Sequence, residues 1–235
     1  MPATIRIGAS GFSYKEWLGG FYPPRLPGSE MLAYYAQRLP TVEINYTFRA
    51  LPRRTLLEGW AAKTPANFRF ALKAPQRITH FARLRQTTDT LNYFLQTASA
   101  LGERLGPILF QLPPDLKRDD ALLDDFIAQI DGSARAAFEF RHVSWFAFPV
   151  FEIMRAKQAA LCIAETEKLL SPMEVTAPHV YLRLRKDNYD ETSLSHWASQ
   201  IKLLAESTQE IFVYFKHELA APELAKRLTL LIEYH

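Results

Sequence analysis

The sequence predicts a single α/β domain over residues 1–235, a TIM-like barrel of eight β/α units with an irregular sixth unit. Three observations predict it. Short β-branched and aromatic runs bounded by Gly, Pro or polar turns recur along the whole length, helical stretches alternate with them, and no Ser/Gly-rich linker or low-complexity tract divides the chain. Strand followed by helix, repeated, implies parallel strands joined by right-handed crossovers, and eight units is the number that closes a barrel. An open doubly wound sheet is the alternative with the same alternation.

The strands are expected at residues 4–8, 41–45, 68–74, 107–112, 136–141, 159–164, 179–185 and 210–215. Helices are expected at 29–38, 53–62, 88–105, 119–130, 149–157, 192–205 and 222–232. Ser29, Thr88 and Thr192 stand in N-cap positions, where a short side-chain oxygen satisfies a free first-turn N–H. After Glu165 no helical period is legible, hence the irregular sixth unit. Residues 9–28 are long for a βα connection and carry Trp17, Phe21, Tyr22, Pro23, Pro24 and Pro27. Such a loop is either a lid over the strand C-terminal ends or a packed cover.

Composition excludes several function classes. With 28 Lys and Arg against 25 Asp and Glu, the net charge of +3 is too small to imply nucleic acid from global electrostatics. A lone cysteine, Cys162, excludes an intrachain disulfide and a multi-thiolate metal site, and fits a reducing compartment. The first residues lack a signal-peptide pattern, and apolar runs fall short of the ~20 residues of a membrane span, so a cytoplasmic protein without membrane contact is expected. Folding of a chain this long should leave roughly 11,000 Å² of surface.

Side chains alternate across a strand, so parity tells which residues share a face. Val42 and Ile44 oppose Glu43 and Asn45; Phe70 and Leu72 oppose Ala71 and Lys73; Phe110 and Leu112 oppose Gln111; Phe138 and Phe140 oppose Glu139 and Arg141. Likewise Ile5 and Ile7 oppose Arg6 and Gly8, and Val180, Leu182 and Leu184 oppose Tyr181, Arg183 and Arg185. In a barrel the apolar set faces the helices, which leaves an unusually polar lumen. Buried charge is costly unless paired or held for a ligand, so this set is either an internal ion network or a site. Asn45, Lys73, Gln111, Arg141 and Arg185 lie at C-terminal strand ends, where barrel enzymes place their chemistry. Cations outnumber carboxylates there, which calls for an anionic ligand; arginine forks match carboxylate and phosphate, and a lysine buried beside other cations is tuned toward general-base use. Glu43 and Glu139 could divide acid and base roles between them.

Other signals are weaker. Lys63, Arg69, Lys73, Arg77, Arg83 and Arg85 fall in a window without an acid, which nucleic acid could use with Phe81 for stacking, although a charge run is usually a solvated face. The six histidines show no metal-ligand spacing, and Glu43, Glu139 and Glu165 would meet a cation only against the surrounding arginines, so no metal is expected. His80, after the third strand, suits acid/base work better. Cys162 shares a face with Ala160 and Ala164 that is expected to meet the helices as an inert thiol. Ser10 in Gly8-Ala9-Ser10-Gly11 lacks the nucleophile-elbow spacing and reads as a backbone turn or anion-binding loop; no dinucleotide or P-loop fingerprint is present, and no cofactor is expected. Trp145 sits just beyond the fifth strand, where it could line the mouth.

Several ordered strings look familiar: Ile7-Gly8-Ala9-Ser10-Gly11-Phe12-Ser13-Tyr14, Thr41-Val42-Glu43-Ile44-Asn45, Phe70-Ala71-Leu72-Lys73-Ala74-Pro75, Ile78-Thr79-His80, Pro107-Ile108-Leu109-Phe110-Gln111-Leu112-Pro113-Pro114 and Phe138-Glu139-Phe140-Arg141-His142-Val143-Ser144-Trp145. Together they make a chain that resembles the YecE-like family, a domain of unknown function (DUF 72). The resemblance implies a TIM-barrel-like fold and brings no established activity or cofactor. Carried over residue by residue, it singles out Glu43, Asn45, Lys73, His80, Gln111, Glu139, Arg141 and Trp145. Members tend to read Arg-Leu-His-Gly where this chain has Arg183-Leu184-Arg185-Lys186, and Asp or Asn where Phe215-Lys216-His217-Glu218 stands here, so a more cationic mouth is expected.

The leading expectation is an enzyme acting on a small anionic substrate at the C-terminal mouth, with Glu43, Lys73, His80 and Glu139 moving protons and Asn45, Gln111, Arg141, Trp145, Arg183 and Arg185 binding. Two other classes compete: a nucleic-acid-binding or processing protein using the basic stretch 63–85, and a non-catalytic binding or scaffold barrel with paired lumen charges.

Overall fold

The computed structural model describes residues 2–234 apart from 131, 168–170 and 218. Eight parallel strands close into a barrel in chain order. They are β1 (Thr4–Ser10), β2 (Thr41–Ile44), β3 (Arg69–Lys73), β4 (Leu105–Gln111), β5 (Ala136–Glu139), β6 (Ala160–Glu165), β7 (His179–Leu184) and β8 (Glu210–Phe215). The helices are α1 (Gly28–Ala36), α2 (Tyr46–Arg49), α3 (Arg54–Ala62), α4 (Thr88–Ala98), α5 (Asp120–Ala128), α6 (Phe148–Ala156), α7 (Glu191–Ala205) and α8 (Ala221–Tyr234). The accessible surface, 11432 Å², matches the value expected from chain size.

Parity assigns the two faces as the alternation predicts. Ile7, Val42, Phe70, Leu72, Phe110, Phe138, Leu182 and Val213 join one large apolar core with the inner faces of the helices. Ala71, Leu109, Ala137, Ala160, Cys162, Ala164, Tyr181, Phe212 and Tyr214 form a separate cluster in the lumen. Cys162 therefore points into the barrel and not toward the helices, a correction to its expected face. On β6 the lumen set is the small one, because the neighbouring tyrosines and Phe212 already fill the middle of the barrel.

Helix boundaries differ where local chemistry overrides the expected caps. The N-caps are Pro27, Thr87 and Asp190 in place of Ser29, Thr88 and Thr192; only Asp190 caps with its side chain, accepting from the Ser193 N–H. Asp119 does the same for α5, accepting from Leu122 N–H at 3.0 Å. The helix expected to reach residue 105 stops at Ala98, followed by a 3-10 turn in which Gly102 takes φ 56. Two elements went unforeseen: α2, a single turn after β2, and a π-helical turn at Arg77–Phe81 after β3. Between β6 and β7 the described residues form no helix; Ser171 and Thr176 bond to the backbone of β6 and of Ala159 just before it. That is the irregular sixth unit.

The aromatic loop after β1 is a cover and not a lid. Trp17 is buried, stacks on Tyr35 of α1 at 6.4 Å and meets Phe21 and Tyr22 edge-on or tilted, while Lys226 of α8 lies over Phe21. The loop thus turns outward onto the helices. Tyr35 in turn ties that layer to the barrel: its hydroxyl accepts from Ala9 N–H at 2.8 Å and donates to the Thr41 carbonyl at 2.9 Å.

Candidate functional site at the barrel mouth

The charges of the upper lumen form one hydrogen-bonded chain built from six strands, β1 to β5 and β7. Arg183 of β7 is its centre. One terminal nitrogen donates to Glu43 of β2 at 2.8 Å and the other to Glu139 of β5, all three side chains being at most 2% exposed. Glu43 also accepts from Tyr181 Oη at 2.8 Å and from Ser10 Oγ, and Ser10 accepts from Asn45 Nδ2 at 2.7 Å. Glu139 accepts from Gln111 Nε2 at 2.8 Å and from Arg185 at 3.0 Å. The Gln111 Oε1 then accepts from Lys73 Nζ at 2.8 Å.

Electrostatics follow from this wiring. Burial alone would raise the Glu43 pKa, but the Arg183 charge and the bonds from Arg183, Ser10 and Tyr181 outweigh it and lower it to about 2. Glu139 is also lowered: Arg183 and Arg185 overcome its burial. Both carboxylates are thus pushed the same way, toward the ionised form. Lys73 goes the other way. Burial first and the Arg183 charge second lower it to about 8, and its ammonium lies 3.9 Å over the Phe48 ring. His80, on the π-helical turn, meets the same ring at 5.0 Å, and its Nδ1 pairs with Thr79 Oγ1 at 2.9 Å. Burial, then Lys73 and Arg141, lower its pKa, so the imidazole is neutral at pH 7.

The rim is cationic. Among the described residues Lys73, Arg141 and Lys216 make no ion pair, and Lys216 is lowered by burial and by Arg185. Arg141 is exposed just past β5 and does not join the buried chain; its strand ends at Glu139, two residues before it. Trp145 does not line the mouth. It is fully buried, stacked on Phe140 at 4.8 Å with its N–H donated to the Leu116 carbonyl.

Other expected groupings separate. Glu165 faces the helices, where it accepts from Tyr189 Oη, Trp197 Nε1 and Lys186 Nζ, so it never meets Glu43 or Glu139. The basic window divides: Lys63 bonds to the Ser29 carbonyl of α1 and Arg69 to the Ala66 carbonyl just before β3, while Arg83 and Arg85, beyond the far end of β3, pair with Asp115 and Asp119. Sequence reasoning missed Ser10, Tyr181 and Phe48 as members of the site. Parity already put Tyr181 on the lumen face; Ser10, read as a turn or anion-binding loop beyond a strand expected to end at residue 8, is the last residue of β1, and Phe48 arrives through a one-turn helix that no pattern announced.

Residues 6–235 match the family described as a protein of unknown function, DUF72. The chain belongs to the DUF72 family. It is 34% identical over 144 residues to the UPF0759 protein YecE of Escherichia coli strain K12, covering 61% of this chain and 50% of that protein. It is 29% identical over 156 residues to the UPF0759 protein YunF of Bacillus subtilis, covering 63% and 54%. The chain thus spans about half the length of the curated relatives it matches. A DUF72 protein of Thermotoga maritima shares the fold at a TM-score of 0.81 and 24% identity, with 98% of each chain covered. One from Enterococcus faecalis does so at 0.82 and 20%, with 99% and 96% covered. Within this DUF72 barrel, the two cations that follow β7 are both ion-paired: Arg185 with Glu139 and Lys186 with Glu165 at 2.7 Å. No helix is long and apolar enough to cross a membrane among the described residues.

Proposed function

We propose that this protein is an enzyme that binds a small phosphate- or carboxylate-bearing substrate at the C-terminal mouth of the barrel. The observation that carries the reading is the imbalance of the rim: Lys73, Arg141 and Lys216 have no ion pair among the described residues. An anion seated between them relieves their mutual repulsion. Arg183, Glu43 and Glu139 form the rigid floor and do not exchange protons, because both carboxylates are held ionised. Proton transfer falls to Lys73, whose pKa of about 8 leaves a free-amine fraction at neutral pH, with neutral His80 beside the same ring as the second carrier. Asn45, Gln111 and Arg185 orient the substrate from the rim of the floor.

Calorimetric titration with inorganic phosphate and with acetate at low salt tests this. Saturable binding that weakens about tenfold or more in Lys73→Met, with the melting curve nearly unchanged, is expected. Absent binding in the wild type, or equal binding in the variant, overturns it. The sealed Glu43–Arg183–Glu139 layer favours a second reading, a non-catalytic barrel whose lumen charges only pair with one another. Under that reading Lys73→Met lowers stability through the lost Gln111 bond and changes no ligand affinity. A nucleic-acid role would instead give oligonucleotide binding that falls steeply with salt.

A further inference from the structure

An uncharged aromatic groove opens beside the cationic rim. It is a cavity of about 550 Å³ lined by Phe12, Tyr14, Asn45, Tyr46, Leu56 and Trp60, together with Gly11, Ser13 and Ile44, and no charged side chain lines it. Tyr46 is 54% exposed and Leu56 37%, large apolar surfaces left facing solvent next to the mouth. Its deep wall is rigid: Trp60 stacks on Phe70 at 5.9 Å and receives the edge of Phe12 at 6.3 Å. Asn45 belongs to both places. Its Nδ2 reaches Ser10 Oγ at 2.7 Å and Glu43 at 3.3 Å in the floor of the mouth, and the same residue lines the groove. The order of strands places this junction between two rim cations, since β1 and β2 lie between β8, followed by Lys216, and β3, which ends in Lys73.

We infer that the ligand of the mouth carries an aromatic ring, which lies in the groove formed by Phe12, Tyr46, Leu56 and Trp60 while its anionic group meets the rim at Lys73 and Lys216. The inference rests on the anion-binding reading of the mouth and adds the class of molecule bound. Two adjoining surfaces of opposite character select an amphipathic ligand: the groove is lined by uncharged side chains, and the rim beside it carries the ammonium groups of Lys73 and Lys216. Flat lining rings favour a flat occupant by offset or edge-on contact over a branched alkyl chain.

The test compares three probes by calorimetry: phenyl phosphate, inorganic phosphate and the uncharged benzyl alcohol. Burying a phenyl ring predicts that phenyl phosphate binds about ten- to a hundredfold tighter than inorganic phosphate. In the double variant Tyr46→Ser, Leu56→Ser, both exposed positions, that advantage disappears while inorganic phosphate binds as before. Equal affinity of the two phosphates in the wild type overturns the groove and leaves the anion reading standing. A phenyl advantage that survives in the double variant puts the ring elsewhere and also overturns it. Binding of neither phosphate overturns both readings. Benzyl alcohol binding that the double variant loses, without phosphate binding, refutes the anion reading and the ligand class together.

Discussion

Replacing Arg183 by Met tests the floor of the site most directly. The change keeps most of the side-chain volume and removes the one charge that both Glu43 and Glu139 share, leaving two carboxyls no more than 2% exposed and facing a thioether. Glu43 alone, held at about 2 against an ordinary 4.5, accounts for about 3 kcal/mol at neutral pH, and loss of one partner of a buried pair costs about 3 to 5 kcal/mol. Thermal and urea melts at pH 7 should therefore lose about that much, a fall in Tm on the order of 10 °C. The pH dependence should also change sign. In the wild type a depressed carboxyl contributes stability above its unfolded value of 4.5, and that contribution is lost as pH falls toward about 2. In the variant Glu139 keeps Arg185, but Glu43 keeps no cation, only the bonds from Ser10, Tyr181 and Asn45; burial then raises its carboxyl, so the native state takes up that proton first and stability increases as pH is lowered from 7 to 5. Adding Glu43→Gln should recover part of the loss. A variant that melts within about 1 kcal/mol of the wild type, or that weakens further on mild acidification, would refute the argument.

Three further outcomes follow from the fold. Gly8→Ala should cost about 3 kcal/mol or more, because a Cβ there meets the Thr41 carbonyl, which is backbone and has nowhere to go; a melt within a few degrees of wild type would show that β1 and β2 can separate. Asp119→Ala should cost about 1 kcal/mol through the lost α5 cap, and Arg85→Ala, which removes only the exposed ion pair to the same carboxylate, about 0.5 kcal/mol or less; equal losses would deny the cap its role. Cys162 should resist thiol reagents in the native protein and react only on unfolding, since burial, with Glu139 next, raises its pKa well above the ordinary thiol value; rapid labelling of folded protein at neutral pH would contradict that placement.

Strand periodicity made the barrel and most of its polar lumen legible, because period 2 depends only on which side of a strand faces the helices. That is why the alternation alone places Glu43, Lys73, Gln111, Glu139 and Arg183 on one face. The same reasoning failed at strand ends. Arg141 kept the right parity but lay two residues beyond the last ladder bond, where alternation no longer determines direction. Cys162 was misplaced because β6 is apolar on both faces, so its pattern carries no sign of which side is inside. Trp145 and Phe48 exchanged roles for a related reason. Both follow strands through short helical turns, whose course is set by contacts such as Trp145 to Leu116 and not by any local period.

The closure of the barrel is uneven, and this has a kinetic consequence. Thr4 to Ala9 lie opposite Glu210 to Phe215 on β8, whereas only Ala9 and Ser10 lie opposite Val42 and Glu43 on β2. The first strand of the barrel therefore finds its main hydrogen-bonding neighbour in the eighth. Until β8 is synthesised, the lower half of β1 presents unpaired backbone and an apolar face to whatever it meets. Joining segments about 200 residues apart is a slow, high-contact-order step that must come late. A nascent or C-terminally truncated chain should thus be the aggregation-prone form, and a circular permutant that makes β8 and β1 consecutive should refold faster than the natural order.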